Sequence, residues 1–113
     1  MDTDEINEIN NINNINNNDI INNDDITSND ILCKKFQKYS KKALKLENVS
    51  VQDKLFLYAH YKQATIGNNT NPKPFMLNLK ELEKWKAWTL LADMDKYKCI
   101  KLYISKVKEL YKK

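Results

Sequence analysis

Tyr58, Tyr61 and Lys62 stand at i, i+3 and i+4 within YAHYKQATIG, residues 58–67. On a helix those positions share one face. Two phenols supply flat apolar surface with a polar edge, and the lysine adds a point charge. Such a face suits a ligand that has both an aromatic ring and a phosphate. It equally suits a half-buried helix whose lysine snorkels past its tyrosines. Leu55, three residues before Tyr58, extends the face toward the N-terminus. Downstream, Lys84 adjoins Trp85 and precedes Trp88 by one turn, at the margin of an apolar arc from which an ammonium reaches over a groove. Tyr103 falls inside an apolar stripe, so its hydroxyl needs a partner or an open cavity.

Other chemistries lack their parts. His60 is the only histidine, so a histidine-based metal site has no further ligands at suitable spacing. Nor does a nucleophile or second acid–base group stand beside it in the sequence. With one glycine in the chain, a glycine-rich phosphate cradle is excluded. The sequence therefore predicts no catalytic residue, no metal and no cofactor. Cys33 and Cys99 lie 66 residues apart without a C-x-x-C pattern, which fits two reduced, mostly buried thiols.

The elements that position these residues begin near residue 28. Leu32, Phe36, Tyr39, Ala43 and Leu46 form one helical stripe, with Thr27, Ser28 and Asn29 as candidate caps. Ser50 and Asp53 resemble a capping box and open a second helix that runs to Ile66, where Gly67 supplies a left-handed stop. Pro72 and Pro74 stiffen the following loop. Asn78 and Glu81 repeat the start signal for a helix through Leu82, Trp85, Trp88 and Leu91 that fades near Ala92. Asp93 or Asp95 caps a last helix with Ile100, Tyr103, Ile104, Val107, Leu110 and Tyr111 on its stripe. No strand signal competes, and short loops between four helices predict an antiparallel-type bundle.

Charge divides the chain. Residues 1–30 carry eight acids and no base, whereas residues 31–113 carry all 19 basic residues, every one a lysine, against seven acids. The second part therefore stands at +12, although the whole chain is only +4. Such a field attracts phosphates, nucleic acid or an anionic membrane surface. Residues 1–27 form a low-complexity Asn/Ile/Asp tract whose isoleucines recur every three residues from Ile6 to Ile15, too short a period to hold a helical stripe. This tract is expected to be a disordered tail preceding a domain over residues 28–113. No run approaches ~20 apolar residues, and no basic-then-apolar leader opens the sequence, so a cytoplasmic protein without stable membrane insertion is expected.

In order along the chain, LFLYAHYKQATIGNNTNPKPFM, KWKAWTLL and CIKLYISKVKEL resemble the acyl-CoA-binding protein family. The family pattern is met at Tyr58–Gly67, Pro74–Met76, Lys84–Trp88 and Tyr103–Val107, over about residues 30–113. The resemblance implies an all-α, four-helix bundle that binds long-chain fatty acyl-CoA without chemistry, as a monomeric intracellular carrier and not a nucleic-acid-binding protein. It implies that Tyr58, Lys62, Lys84 and Tyr103 hold the adenine and the ribose 3′-phosphate. It further implies a ligand contact at Tyr61 and an acyl-groove contact at Leu55. For a first-helix lysine on phosphate, Lys41 and Lys42 are both possible, with Lys42 favoured. Phe75 stands where the family usually has a small residue, which would narrow the loop beside the head group. The competing reading is a basic helical module for nucleic acid or a partner helix, weakened by the absence of arginine.

Overall fold

Phe36, Tyr39, Ala64, Cys99, Ile100, Tyr103, Ile104 and Val107 converge in one buried cluster. The computed structural model describes residues 28–112 and contains four helices among them. These are α1 (Ser28–Ala43), α2 (Val51–Thr65), α3 (Leu79–Thr89) and α4 (Lys96–Lys112). No described residue lies in a strand. The expected disorder of residues 1–27 falls outside the described residues, and one compact unit begins at Leu32.

The centre of that unit is α2, which packs against both α3 and α4. A helix with neighbours on two sides needs apolar or small residues on more than one face. Ala59, His60, Gln63 and Ala64 are the buried positions of α2. α4 gives its stripe of Ile100, Tyr103, Ile104 and Val107 to the core. From α1, Phe36 meets Tyr103 edge-on at 5.2 Å and 85°, a geometry worth about 0.5–1.5 kcal/mol beyond buried area. Lys106 of α4 pairs with Asp53 of α2 at 3.4 Å and lies 4.8 Å from the Phe56 ring. His60 is buried, stacks on Phe56 at 4.0 Å and donates from Nδ1 to the Phe56 carbonyl at 2.8 Å. Desolvation lowers its pKa, so the neutral ring is the resident form. Cys33 and Cys99 are free thiols, Cys99 fully buried.

Helix boundaries follow the capping chemistry. Ser50 Oγ accepts from the Asp53 amide at 3.1 Å, as expected, although the Asp53 carboxylate turns to Lys106. Gly67 adopts φ +100 and ends α2. Asp95, rather than Asp93, caps α4, accepting from Tyr97 and Lys98 amides at 3.0 and 3.1 Å. Asp93 sits in the left-handed region at φ 66 and exchanges two hydrogen bonds with Asn68. That turn explains why α3 ends at Thr89, short of Ala92, with later amides bonding three residues back. α1 likewise ends at Ala43, and Leu46 reaches the core from a tightened turn. Asn78 holds the expected N-cap position of α3, but its side chain makes no cap hydrogen bond. Its backbone closes a turn onto the Phe75 carbonyl at φ −89 and ψ 72, away from the extended geometry that a cap requires. Glu81 instead pairs with Lys84 at 3.5 Å.

Ile100 has no exposed surface and sits in the main cluster. Ile100→Ala should cost about 2–5 kcal/mol and Ile100→Val about 0.5–1.5 kcal/mol in chemical denaturation. Equal, small losses would mean that α4 does not pack as described.

Candidate functional site

Val51, Leu55, Tyr58 and Lys62 step along α2 by four, three and four residues and so share a stripe. Val51, Leu55 and Tyr58 of this stripe wall one cavity, and Tyr58 alone of the four also lines a second. The first, of about 560 Å³, lies between α2 and α3 and is lined by Val51, Lys54, Leu55 and Tyr58 on one side and by Leu79, Lys80, Glu83 and Lys84 on the other. Its walls are mainly apolar with lysines at intervals. The second, of about 360 Å³, is bounded by α1, α2 and α4. It is lined by Ser40, Lys41, Ala43, Leu44, Lys54, Leu57, Tyr58, Tyr61 and Tyr103. Tyr58 and Lys54 belong to both.

Two ammoniums converge on the Tyr58 ring. Lys84 Nζ lies 4.9 Å from its centroid and Lys62 Nζ 5.8 Å, and Lys62 also lies 5.6 Å from the Trp88 ring. The aromatic faces attract the cations through their quadrupoles, and Lys84 also pairs with Glu81 at 3.5 Å. An incoming anion meets two pre-placed positive charges beside a phenol.

Tyr103 is only 4% exposed yet lines the smaller cavity, which meets the requirement of an opening for its hydroxyl. Burial, with a smaller contribution from the neighbouring Tyr61, raises its pKa to about 12. The phenol is therefore a neutral hydrogen-bond donor across the physiological range. Its ring lies 6.1 Å from that of Tyr61, and Phe36 lies 5.5 Å from Tyr61 and 5.2 Å from Tyr103, so the three rings buttress one another.

Of the residues singled out in the sequence, Tyr58, Tyr61 and Tyr103 meet at the smaller cavity, and Leu55, Tyr58 and Lys84 at the larger. Lys62 joins through Tyr58. Lys42 lines neither cavity. Its ammonium lies over the rings of Tyr39 and Tyr111, and its carbonyl accepts from the Tyr111 hydroxyl at 2.6 Å. Lys41 is the first-helix lysine at the smaller cavity. Phe75 is exposed and lines neither cavity. Val51, Lys54, Leu79 and Lys80 were not singled out. The spacing of Val51 to Leu55 was a usable signal, whereas Leu79 and Lys80 join only through the packing of α3 on α2.

The chain is similar to known proteins in sequence and in fold. The family model for acyl CoA binding protein matches residues 33–107. Acyl-CoA-binding domain-containing protein 2 of Oryza sativa subsp. japonica is 41% identical over 80 residues, covering 70% of this chain and 88% of the relative. An acyl-CoA-binding protein of Ricinus communis is 38% identical over 76 residues, covering 66% and 84%. Among solved structures, acyl-CoA-binding protein 2 of Oryza sativa superposes with a TM-score of 0.69 at 40% identity, covering 72% of this chain and 91% of that one. The protein of Moniliophthora perniciosa gives 0.66 at 25% identity, covering 70% and 79%.

The raised pKa of Tyr103 has a consequence for stability. The fold favours the neutral phenol, so its contribution is complete below the unfolded value of about 10 and is lost as pH rises through about 12. Stability should fall with pH across that window, and Tyr103→Phe should flatten the fall when both are followed by denaturant midpoint. Identical slopes for the two proteins would contradict the burial assigned to this hydroxyl.

Proposed function

Because the chain belongs to the acyl-CoA-binding protein family, we propose that it binds, buffers and transports long-chain fatty acyl-CoA esters without catalysing a reaction. The observation that carries this reading is the pair of cavities joined at Tyr58. The smaller gathers the phenols Tyr58, Tyr61 and Tyr103, the larger runs along Val51, Leu55 and Leu79 with Lys84 beside Tyr58, and together they match the two halves of an acyl-CoA. In this reading Tyr58, Tyr61 and Tyr103 receive the adenine and ribose, with Lys62 and Lys84 on the 3′-phosphate. The acyl chain lies along Leu55 and Val51. Lys41 is the better placed of the two first-helix lysines to reach phosphate. The binding domain is taken as residues 28–113.

The remaining parts of the proposal follow from the same features. The protein acts as a monomer in the cytoplasm. Among the described residues no helix is long and apolar enough to cross a membrane. Nucleic acid is not a partner in this reading. All 19 cations are lysines, which lack the planar fork that reads guanine and phosphate bidentately.

Isothermal titration with a long-chain acyl-CoA and its 3′-dephospho analogue tests the site. A hydrogen bond to a charged group contributes roughly 1.5–3 kcal/mol, and partial exposure puts Lys84 near the lower end. Lys84→Ala should weaken acyl-CoA binding about tenfold. Removing the phosphate should then cost the mutant distinctly less than it costs wild type, since Lys62 and Lys84 serve one group. Equal weakening toward both ligands would remove Lys84 from the phosphate site. No binding of either ligand by wild type would overturn the function itself.

A further inference from the structure

The loop between α2 and α3, with the first residue of α3, exposes an apolar surface of which only Leu79 also lines a cavity. Phe75, Met76, Leu77 and Leu79 are 72%, 70%, 80% and 68% exposed. Four large apolar side chains within five residues, all largely in water, exceed the scattered single exposures that are ordinary on a protein surface. The display is built rather than loose. The Asn78 amide closes a turn onto the Phe75 carbonyl at 2.9 Å, which sets Met76 and Leu77 at its apex. Below the apex, Trp85 Nε1 donates to the Asn71 carbonyl at 2.8 Å, and Asn69 donates to Thr89 Oγ1 at 3.0 Å. Pro72 and Pro74 restrict the backbone between the anchored base and the apex.

Charge identifies what this surface meets. From Asn68 to Lys80 there is no acidic residue, and Lys73 and Lys80, both exposed, flank the apolar cluster. Beyond Lys80 the acids Glu81 and Glu83 lie within 4.0 Å of Lys84 and Lys86. An apolar apex between lysines matches the boundary of an anionic bilayer, where side chains enter the acyl layer and ammoniums stay among the phosphates. A protein groove would require acidic complementarity to Lys73 and Lys80 and would satisfy the same apolar residues, but it would not bind lipid alone. The surface is also continuous with the larger cavity. Leu79 and Lys80 line it, and the exposed Val51 lies across it.

We propose that the Phe75–Leu79 loop is a peripheral docking surface for anionic membranes, with Met76 and Leu77 inserted and Lys73 and Lys80 against lipid phosphate. Docked in this way, the protein presents the mouth of the α2–α3 cavity to the bilayer. The surface does not depend on the acyl-CoA reading, and its vesicle test is run without acyl-CoA, which enters only as a separate control.

The full chain, free of ligand, is sedimented with vesicles of phosphatidylcholine containing phosphatidylserine and, separately, with vesicles of phosphatidylcholine alone. Wild type should partition onto the anionic vesicles several-fold more strongly, and rising salt should weaken it. Met76→Ser combined with Leu77→Ser should reduce that partitioning about tenfold or more, while circular dichroism and acyl-CoA affinity in solution stay those of wild type. Lys73→Glu should give a reduction of about fivefold or more. No binding of wild type to anionic vesicles would overturn the proposal and leave a protein partner for this surface. Equal binding of wild type and the double-serine variant would also overturn it, by assigning the attraction to the general positive field. Equal partitioning of wild type onto both vesicle types would overturn the role given to the lysines. Failure of acyl-CoA binding in solution, with vesicle docking intact, would count against the ligand reading and not against this surface.

Discussion

Trp88 Nε1 donates to the Gly67 carbonyl at 2.8 Å, across 21 residues of chain. The indole is 3% exposed, so this hydrogen bond is made away from water, where losing it would leave a donor unsatisfied. It ties the left-handed stop of α2 to the last turn of α3. Gly67 adopts φ +100, which side-chain-bearing residues rarely take, although a Cβ there would meet no neighbour within 4 Å. The glycine is therefore required for backbone conformation and not for space. Gln63 and Asn68, then Asn68 and Asp93, continue the tie to the segment before α4. The loop after α2 thus serves as a clasp that fixes α3 beside α2.

The cavity between α2 and α3 and the placement of Lys84 over Tyr58 both follow from that clasp. Lys84 reaches the ring only because α3 is held at a given height and rotation against α2. Trp88 contributes twice, since its indole also carries Lys62 on its face. Two like charges beside one phenol repel each other, and water and Glu81 offset part of that cost in the free protein. A phosphate bound between them relieves the repulsion, so the free site is poised toward anions. The +12 of residues 31–113 adds a long-range field that salt screens within about 10 Å at 0.1 M.

Much of this arrangement is legible in the sequence. The 3.6-residue period of α1 and α4, the Ser50 cap and the Gly67 stop each depend on residues within one turn, so local chemistry decides them. The tyrosine and lysine positions of α2 share a face for the same reason. What depends on contacts across the fold is less legible. Asn78 carries the side chain of a cap but spends its backbone on the Phe75 turn. α3 ends early because Asp93 is held by Asn68, 25 residues away. Lys41 and Lys42 are adjacent and identical, and only the packing of α1 decides that Lys41 borders the cavity while Lys42 lies over Tyr39 and Tyr111. Phe75 is foreseeable as an unusual residue in the loop, but its outward position is set by the hydrogen bonds beneath it.

Binding of an ester whose two ends use two different cavities is the central claim, and chain length probes it most directly. Calorimetric titration of acyl-CoA esters from acetyl to palmitoyl holds the head group constant while the hydrocarbon grows. Each added methylene should contribute up to about 0.8 kcal/mol until the groove beside Leu55 is filled, less the cost of ordering the chain. Affinity should therefore rise steeply with length and then level off. Equal affinities for the acetyl and palmitoyl esters would contradict the account, because the apolar cavity between α2 and α3 would then have no part in binding.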